Sequence, residues 1–220
     1  MMRIRIILIL LACVLFSNDV VGQSIRPFVR GGLDICFFDD NNRDKGFVGM
    51  NMGAGFQVPI SKSHPWVLSP AIACISKGHS FDIYQANGSV TFNLLYLETQ
   101  LDFIYRLQLQ TTGKSWCFPI GAGLYGAYCV RGKASATNGM AWFNGIPVGD
   151  PISVFDKSIG AKRWDAGWRL LTVGAEYRHF MFRCDIELSF FSQFPHRKQH
   201  KLYDLEGTHT AILLNVGYIF

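Results

Sequence analysis

From residue 25 to the last residue, apolar side chains fall on every second position in eight separate segments. A period of two is the repeat of an extended strand, whose successive side chains point to opposite faces. The segments run over 25–38, 47–60, 66–78, 91–107, 116–133, 164–178, 181–191 and 210–220. No stretch after the first segment of the chain holds the 18 or more apolar residues that a membrane-crossing helix requires. Whatever the chain folds into is therefore a sheet with one strongly apolar face, and such a sheet must cover that face and pair its own edges.

The alternation is clearest in the fourth segment. Leu95, Leu97, Leu101, Phe103, Tyr105 and Leu107 share one face, and Glu98, Gln100, Asp102 and Arg106 share the other. The second sets Val48, Met50, Met52, Phe56 and Val58 against small and polar residues. The fifth sets Ile120, Leu124 and Val130 against Gly121, Gly123, Tyr125 and Arg131. Two segments carry an irregularity. Pro70 in the third suggests a bulge, because proline cannot donate to a strand ladder. The sixth loses phase, so that Glu176 would share the apolar face with Trp168 and Leu170 unless a bulge intervenes.

Connections after the second, fourth and sixth segments are short, and those after the third, fifth and seventh are longer. That asymmetry belongs to transmembrane barrels, whose turns are short on one side and long on the other. Alternation alone would also fit a soluble lipocalin-like barrel with its apolar side inward. The beginning of the chain, the asymmetry of the connections and the terminal Phe220 together decide for the membrane barrel. Arg3 and Arg5 precede an apolar run from Ile6 to Phe16, too short to span a bilayer and suited to an export signal. Cleavage near Gln23 is preferred over lipidation at Cys13. The expected organisation is residues 1–22 as a signal peptide and 23–220 as one domain. The expected fold class is all-β: an eight-stranded antiparallel up-and-down transmembrane β-barrel in a bacterial outer membrane, with both termini periplasmic.

Composition agrees with this reading. Charged residues make up only 17% of the chain, against about 25% in soluble proteins. The net charge of +5 becomes +4 once Arg3, Arg5 and Asp19 are removed. The balance suits outer-membrane lipid and lipopolysaccharide as surroundings. No basic stripe with interleaved aromatics marks a nucleic-acid partner. The five cysteines after residue 22 show no CxxC or Cys/His spacing and read as small strand fillers. No metal motif is present and no cofactor is expected.

GFVGMNMGAGFQVPI, WVLSPAIACISKG, LLYLETQLDFIYRL, FPIGAGLYGAY, WDAGWRLLTVGAEYR and the terminal NVGYIF resemble, in order and spacing, the small outer-membrane β-barrel proteins of Bacteroidetes, the group that includes PorT-like barrels. The resemblance covers almost all of residues 25–220. It implies an eight-stranded barrel, and for some members a part in protein secretion or gliding. The chain departs from that pattern at Ala71, where many relatives carry a strand-interior acid, and in its long 134–163 loop.

The polar face carries Arg26, Arg30, Asp34, Glu98, Asp102, Arg106, Arg131, Asp165, Arg169, Arg183, Asp185 and Glu187. An eight-stranded barrel is just wide enough for side chains to fill it. Mixed charges there form an ion network that plugs the lumen, whereas a selective pore would show rings of one sign. The last strand, ending in Tyr218 and Phe220, fits the form that barrel-insertion machinery reads by strand addition. Arg197, Lys198 and Lys201 form a candidate outer basic patch, beside His196 and His200, for lipopolysaccharide phosphates or an anionic partner. Trp142, Phe143 and Phe155 in the long loop suit contact with an envelope protein. The role expected is that of a non-enzymatic scaffold or interaction protein. A lipid-modifying enzyme using Ser76, His79, Ser80 and Asp82 is an alternative, and so is a small channel.

Overall fold

A backbone in hydrocarbon has no water to hydrogen-bond, so strands survive there only in a sheet without free edges. The computed structural model describes residues 25–38, 44–61, 64–83, 88–111, 114–137, 149–155, 161–191 and 208–220. The segment expected to direct export, with Cys13, lies outside the described residues, as do Arg197, Lys198 and Lys201 of the candidate basic patch and the aromatics Trp142 and Phe143.

Eight long strands form the sheet: β1 (Arg26–Phe38), β3 (Phe47–Pro59), β4 (Trp66–Ile83), β5 (Gly88–Thr111), β6 (Lys114–Thr137), β8 (Trp164–Tyr177), β9 (Phe180–Ser189) and β10 (His209–Ile219). Two short ones, β2 (Asp44–Lys45) and β7 (Ile152–Ser153), pair with β4 and β6. Each long strand pairs antiparallel with its neighbours in sequence, and β1 pairs with β10 from Phe28↔Ile219 to Phe38↔His209. The sheet is thus a closed eight-stranded up-and-down barrel, as the alternation predicts.

The apolar face points outward. Val29, Leu33, Met50, Met52, Leu101, Phe103, Leu124, Trp168, Phe182, Leu214 and Val216 are all exposed. Water would not tolerate such a continuous belt, and hydrocarbon would. Aromatic pairs sit at both ends of it. Trp66–Phe103 and Trp116–Tyr177 stack at 4.5 and 4.6 Å near the termini, while Tyr128–Trp164 and Trp168–Phe190 meet at 4.7 and 5.3 Å toward the other end. On β5 the belt runs from Leu95 to Tyr105, about 25 Å at the usual strand rise and tilt. The fold is a transmembrane β-barrel.

Beyond this belt the rule reverses. Farther along β5 the outward residues are Ser89, Thr91 and Asn93, and the inward ones Val90, Phe92 and Leu94 are fully buried. On β6 the outward Lys133, Ser135 and Thr137 alternate with buried Ala134 and Ala136. Water now solvates the outside, so the apolar side chains turn in and pack with Val154 of the 134–163 segment. Strands β4, β5 and β6 therefore form a wall taller than the rest. Pairing continues to Ile83↔Gly88, leaving only residues 84–87 to connect β4 and β5. The long connection expected after the third segment is mostly strand. Part of the 134–163 loop is also ordered: β7 pairs with Lys133 and Ala134, and the Val154 amide donates to Gly132 O at 3.2 Å.

Bulges adjust the faces. On β8 the register shifts between Arg169 and Leu171, and Leu170 and Leu171 are both exposed. That extra residue returns Glu176 to the interior, as the phase argument requires. A second shift, at Leu95/Tyr96, leaves Val130 and Arg131 of β6 both exposed. Arg131 is therefore not a lumen residue. The bulge falls where β6 leaves the belt, and it turns the arginine out toward water. Pro70 makes no bulge. It stays in register with Leu101, and the ladder to β3 skips the positions opposite Pro70 and Ser69 instead. Val58 is buried although its parity points outward.

Inward glycines allow the strands to approach. A Cβ on Gly32 would sit 1.8 Å from Leu214 O, whereas one on its neighbour Gly31 would find nothing nearer than Asn51 O at 3.6 Å. Gly32→Ala is expected to cost about 1–3 kcal/mol through forced backbone shifts, and Gly31→Ala less than about 0.5. Urea unfolding of the refolded barrel, followed by tryptophan fluorescence and gel mobility, checks the pair.

Candidate functional site

Charges removed from water are stable only when paired and hydrogen-bonded. Strand parity brings such charges together inside the ring. At the centre lies Arg169, fully buried. Its Nη1 donates to both Asp102 oxygens at 2.9 and 2.8 Å. Its Nη2 lies 2.7 Å from Asp185 and its Nε 3.1 Å from Glu187. Arg183 Nη2 donates to Asp102 at 2.8 Å and to Asp185 at 3.2 Å. Thr172 and Asn215 also donate to Asp185, at 2.7 and 3.2 Å. Arg30 completes this layer, 3.6 Å from Asp185 and donating to Gln100.

A second layer lies toward the tall wall. Lys77 Nζ donates to Glu98 and Glu187, each at 2.9 Å, and stands 4.3 Å from the Tyr125 ring centroid. The Tyr125 hydroxyl donates to Asp165 at 3.1 Å, and Ser189 binds the same carboxylate. Asp34 accepts from the Cys36 thiol at 3.5 Å. A third layer closes the end that carries the termini. There Glu176 accepts from Gln57 at 2.7 Å and Arg106 at 2.6 Å, with Arg26 at 3.7 Å. Between the first and third layers Phe28, Ala71, Met181 and Ile219 form an apolar floor.

The structure therefore places Arg26, Arg30, Asp34, Glu98, Asp102, Arg106, Asp165, Arg169, Arg183, Asp185 and Glu187 inside, and Arg131 outside. Two charged members of the network were not among the expected site residues. Lys77 has inward parity in the sequence, but no charged neighbour along β4 draws attention to it. Glu176 reaches the interior only through the β8 bulge. Arg169, Asp102 and Asp185 are at most 1% exposed; an aqueous channel would expose the groups lining it. Among the described residues six cations, counting Arg26 and Arg106, face seven carboxylates, with no layer of a single sign.

The proposed Ser–His constellation does not assemble. His79 is buried inside, stacked on Phe92 at 4.6 Å, while Ser76 and Ser80 lie on the opposite face of β4. Ser80 shares a hydrogen bond with Thr91 at 3.0 Å, and the Asp82 side chain lies outside the described residues. The five described cysteines are all free thiols. Among the described residues no group of three or more His, Cys, Asp or Glu is placed to hold a metal ion. Tyr218 and Phe220 are exposed on the outer face, their rings 5.1 Å apart, and the Phe220 amide donates to Pro27 O at 2.9 Å.

Closed ring, apolar outer belt and charged filled lumen define a small integral membrane barrel of the outer-membrane type. No protein-family model matches the chain, and no curated protein matches it. Among the solved structures to which it is similar are three small outer-membrane barrels. Ail of Yersinia pestis, in complex with the heparin analogue sucrose octasulfate, shares 14% identity over 90% of this chain and 100% of its own, with a TM-score of 0.37. OprG from Pseudomonas aeruginosa shares 12% over 90% and 97%, with a TM-score of 0.42. Neisserial surface protein A shares 10% over 89% and 97%, with a TM-score of 0.41.

Arg169→Gln removes the cation shared by three buried carboxylates. It is expected to destabilise the barrel by about 3–5 kcal/mol. The check is the urea midpoint of the variant in detergent micelles, with Arg131→Gln as the outward control that leaves the midpoint unchanged.

Proposed function

We propose that this chain is a non-conducting, non-enzymatic barrel of the bacterial outer membrane. It serves as a scaffold or docking post in envelope assembly or protein secretion. The observation that carries the reading is the filled lumen, whose central charges are shut off from water. A filled lumen supports a rigid post, because the charges bind the strands to one another and leave no aqueous route.

Further observations support the finer assignment. The termini and the three short turns lie at one end, which we assign to the periplasm. The tall wall of β4–β6 and the β7 segment then stand at the cell surface, beside lipopolysaccharide. This wall is the surface an envelope protein partner would meet. The paired, aromatic-ended β10 suits delivery by barrel-insertion machinery. The sequence resemblance adds the PorT-like barrels of Bacteroidetes and, through them, secretion.

Two measurements test the proposal. Planar bilayers holding the refolded barrel are expected to show current no different from empty bilayers; discrete ohmic steps would overturn the plug. A photo-crosslinker at Thr91, on the polar outside of the tall wall, is expected to trap a defined envelope protein in intact cells, whereas one at Leu101 in the belt traps none. Equal capture at both positions, or none at Thr91, would refute a docking role.

A further inference from the structure

The end of the barrel that carries the termini holds a cavity of about 300 Å³. Three arginines line it, the partly buried Arg26 and Arg106 and the exposed Arg178, and among the described residues Glu176 is the one acidic residue in the lining. Each arginine is placed by a different feature. Arg26 begins β1 and Arg106 lies near the turn end of β5. Arg178 sits in the two-residue turn between β8 and β9 with a backbone φ of 56°, the left-handed conformation that tight hairpin turns use.

Glu176 cannot neutralise all three. One of its oxygens accepts from Gln57, and the other accepts from Arg106 and faces Arg26. Among the described residues the buried Nε of Arg106 has no hydrogen-bond partner. Arg178 has no carboxylate partner among the described residues, and its guanidinium lies 5.4 Å from the Tyr177 ring centroid. The cavity therefore carries two positive charges in excess, in a mouth whose low-dielectric walls concentrate their field. Ser115 and Gln108 add neutral donors at the rim.

We infer that this mouth binds a phosphate group. A phosphate presents several oxygens to several guanidinium donors, which a carboxylate with two oxygens matches less fully. Position favours a lipid source. Tyr177 lines the cavity and also stacks on Trp116 in the aromatic girdle, the level at which headgroups lie. A phospholipid of the periplasmic leaflet could fold its headgroup over the rim while its chains stay on the outer belt. A free phosphate would enter from the aqueous side. The site is independent of the docking role proposed above.

The test uses the refolded mature chain, with an Arg26→Gln/Arg178→Gln double variant that leaves the Arg106–Glu176 pair in place. Arg131→Gln, at the far end, is the control, and gel mobility verifies folding. Inorganic phosphate is titrated by calorimetry in zwitterionic detergent. Retained phosphatidylglycerol is counted by native mass spectrometry after release from mixed phosphatidylcholine nanodiscs. The double variant is expected to lose at least about tenfold in affinity or in retained lipid, while the control loses nothing. Lipid retention without phosphate binding assigns the site to a headgroup, and saturable phosphate binding without lipid retention to a free anion. Folded wild type that takes up neither, or a double variant that binds as well as wild type, overturns the inference.

Discussion

The ladder between β1 and β10 is the constraint on which the rest depends. It joins the first strand to the last along Phe28–Phe38. Without it, two rows of backbone donors and acceptors would face hydrocarbon, at several kcal/mol for each unsatisfied group. With it, every long strand has a partner on either side, and the outer belt of leucine, methionine, valine and phenylalanine can be solvated by lipid. Closure also creates an interior, which eight strands make too narrow for bulk water and wide enough for long side chains.

That interior selects one register. Arg169 meets acids from β5 and β9, Lys77 joins β4 to β5 and β9, and Arg30 brings β1 to the same cluster. A slip of one residue in any of these strands would carry its charges to the lipid side. The network need not add net stability over an apolar filling of the same shape. Its effect is to make every alternative pairing far worse.

Much of this was legible in the sequence because the period of two is a direct record of which solvent each face meets. Leu97, Leu101, Phe103 and Tyr105 declare hydrocarbon as plainly as Glu98, Gln100 and Asp102 declare the lumen. Glu176 declared the β8 bulge by standing on the wrong face. Arg131 gave no such warning. Its alternation with Val130 looks regular, and only the register shift shows that the strand has left the membrane. The last residues of β4, 79–83, and the first of β5, 88–90, escape the alternation for a related reason: around Ser89–Leu94 the polar and apolar roles trade places, so a template that asks for apolar-out stops short there. Which charges pair with which, and that Lys77 is shared between Glu98 and Glu187, depends on strands distant in sequence, and no local pattern contains it.

The strands are also unequal. β5 and β6 have 24 residues each, whereas β9 and β10 on the far side have 10 and 11. A cylinder of even height looks the same from every bearing in the plane of the bilayer. This one has a parapet along one arc, so turning about its own axis changes what it offers to a neighbour diffusing in the same sheet. The barrel has a compass heading as well as a depth, and lateral encounters can be told apart by the side from which they arrive.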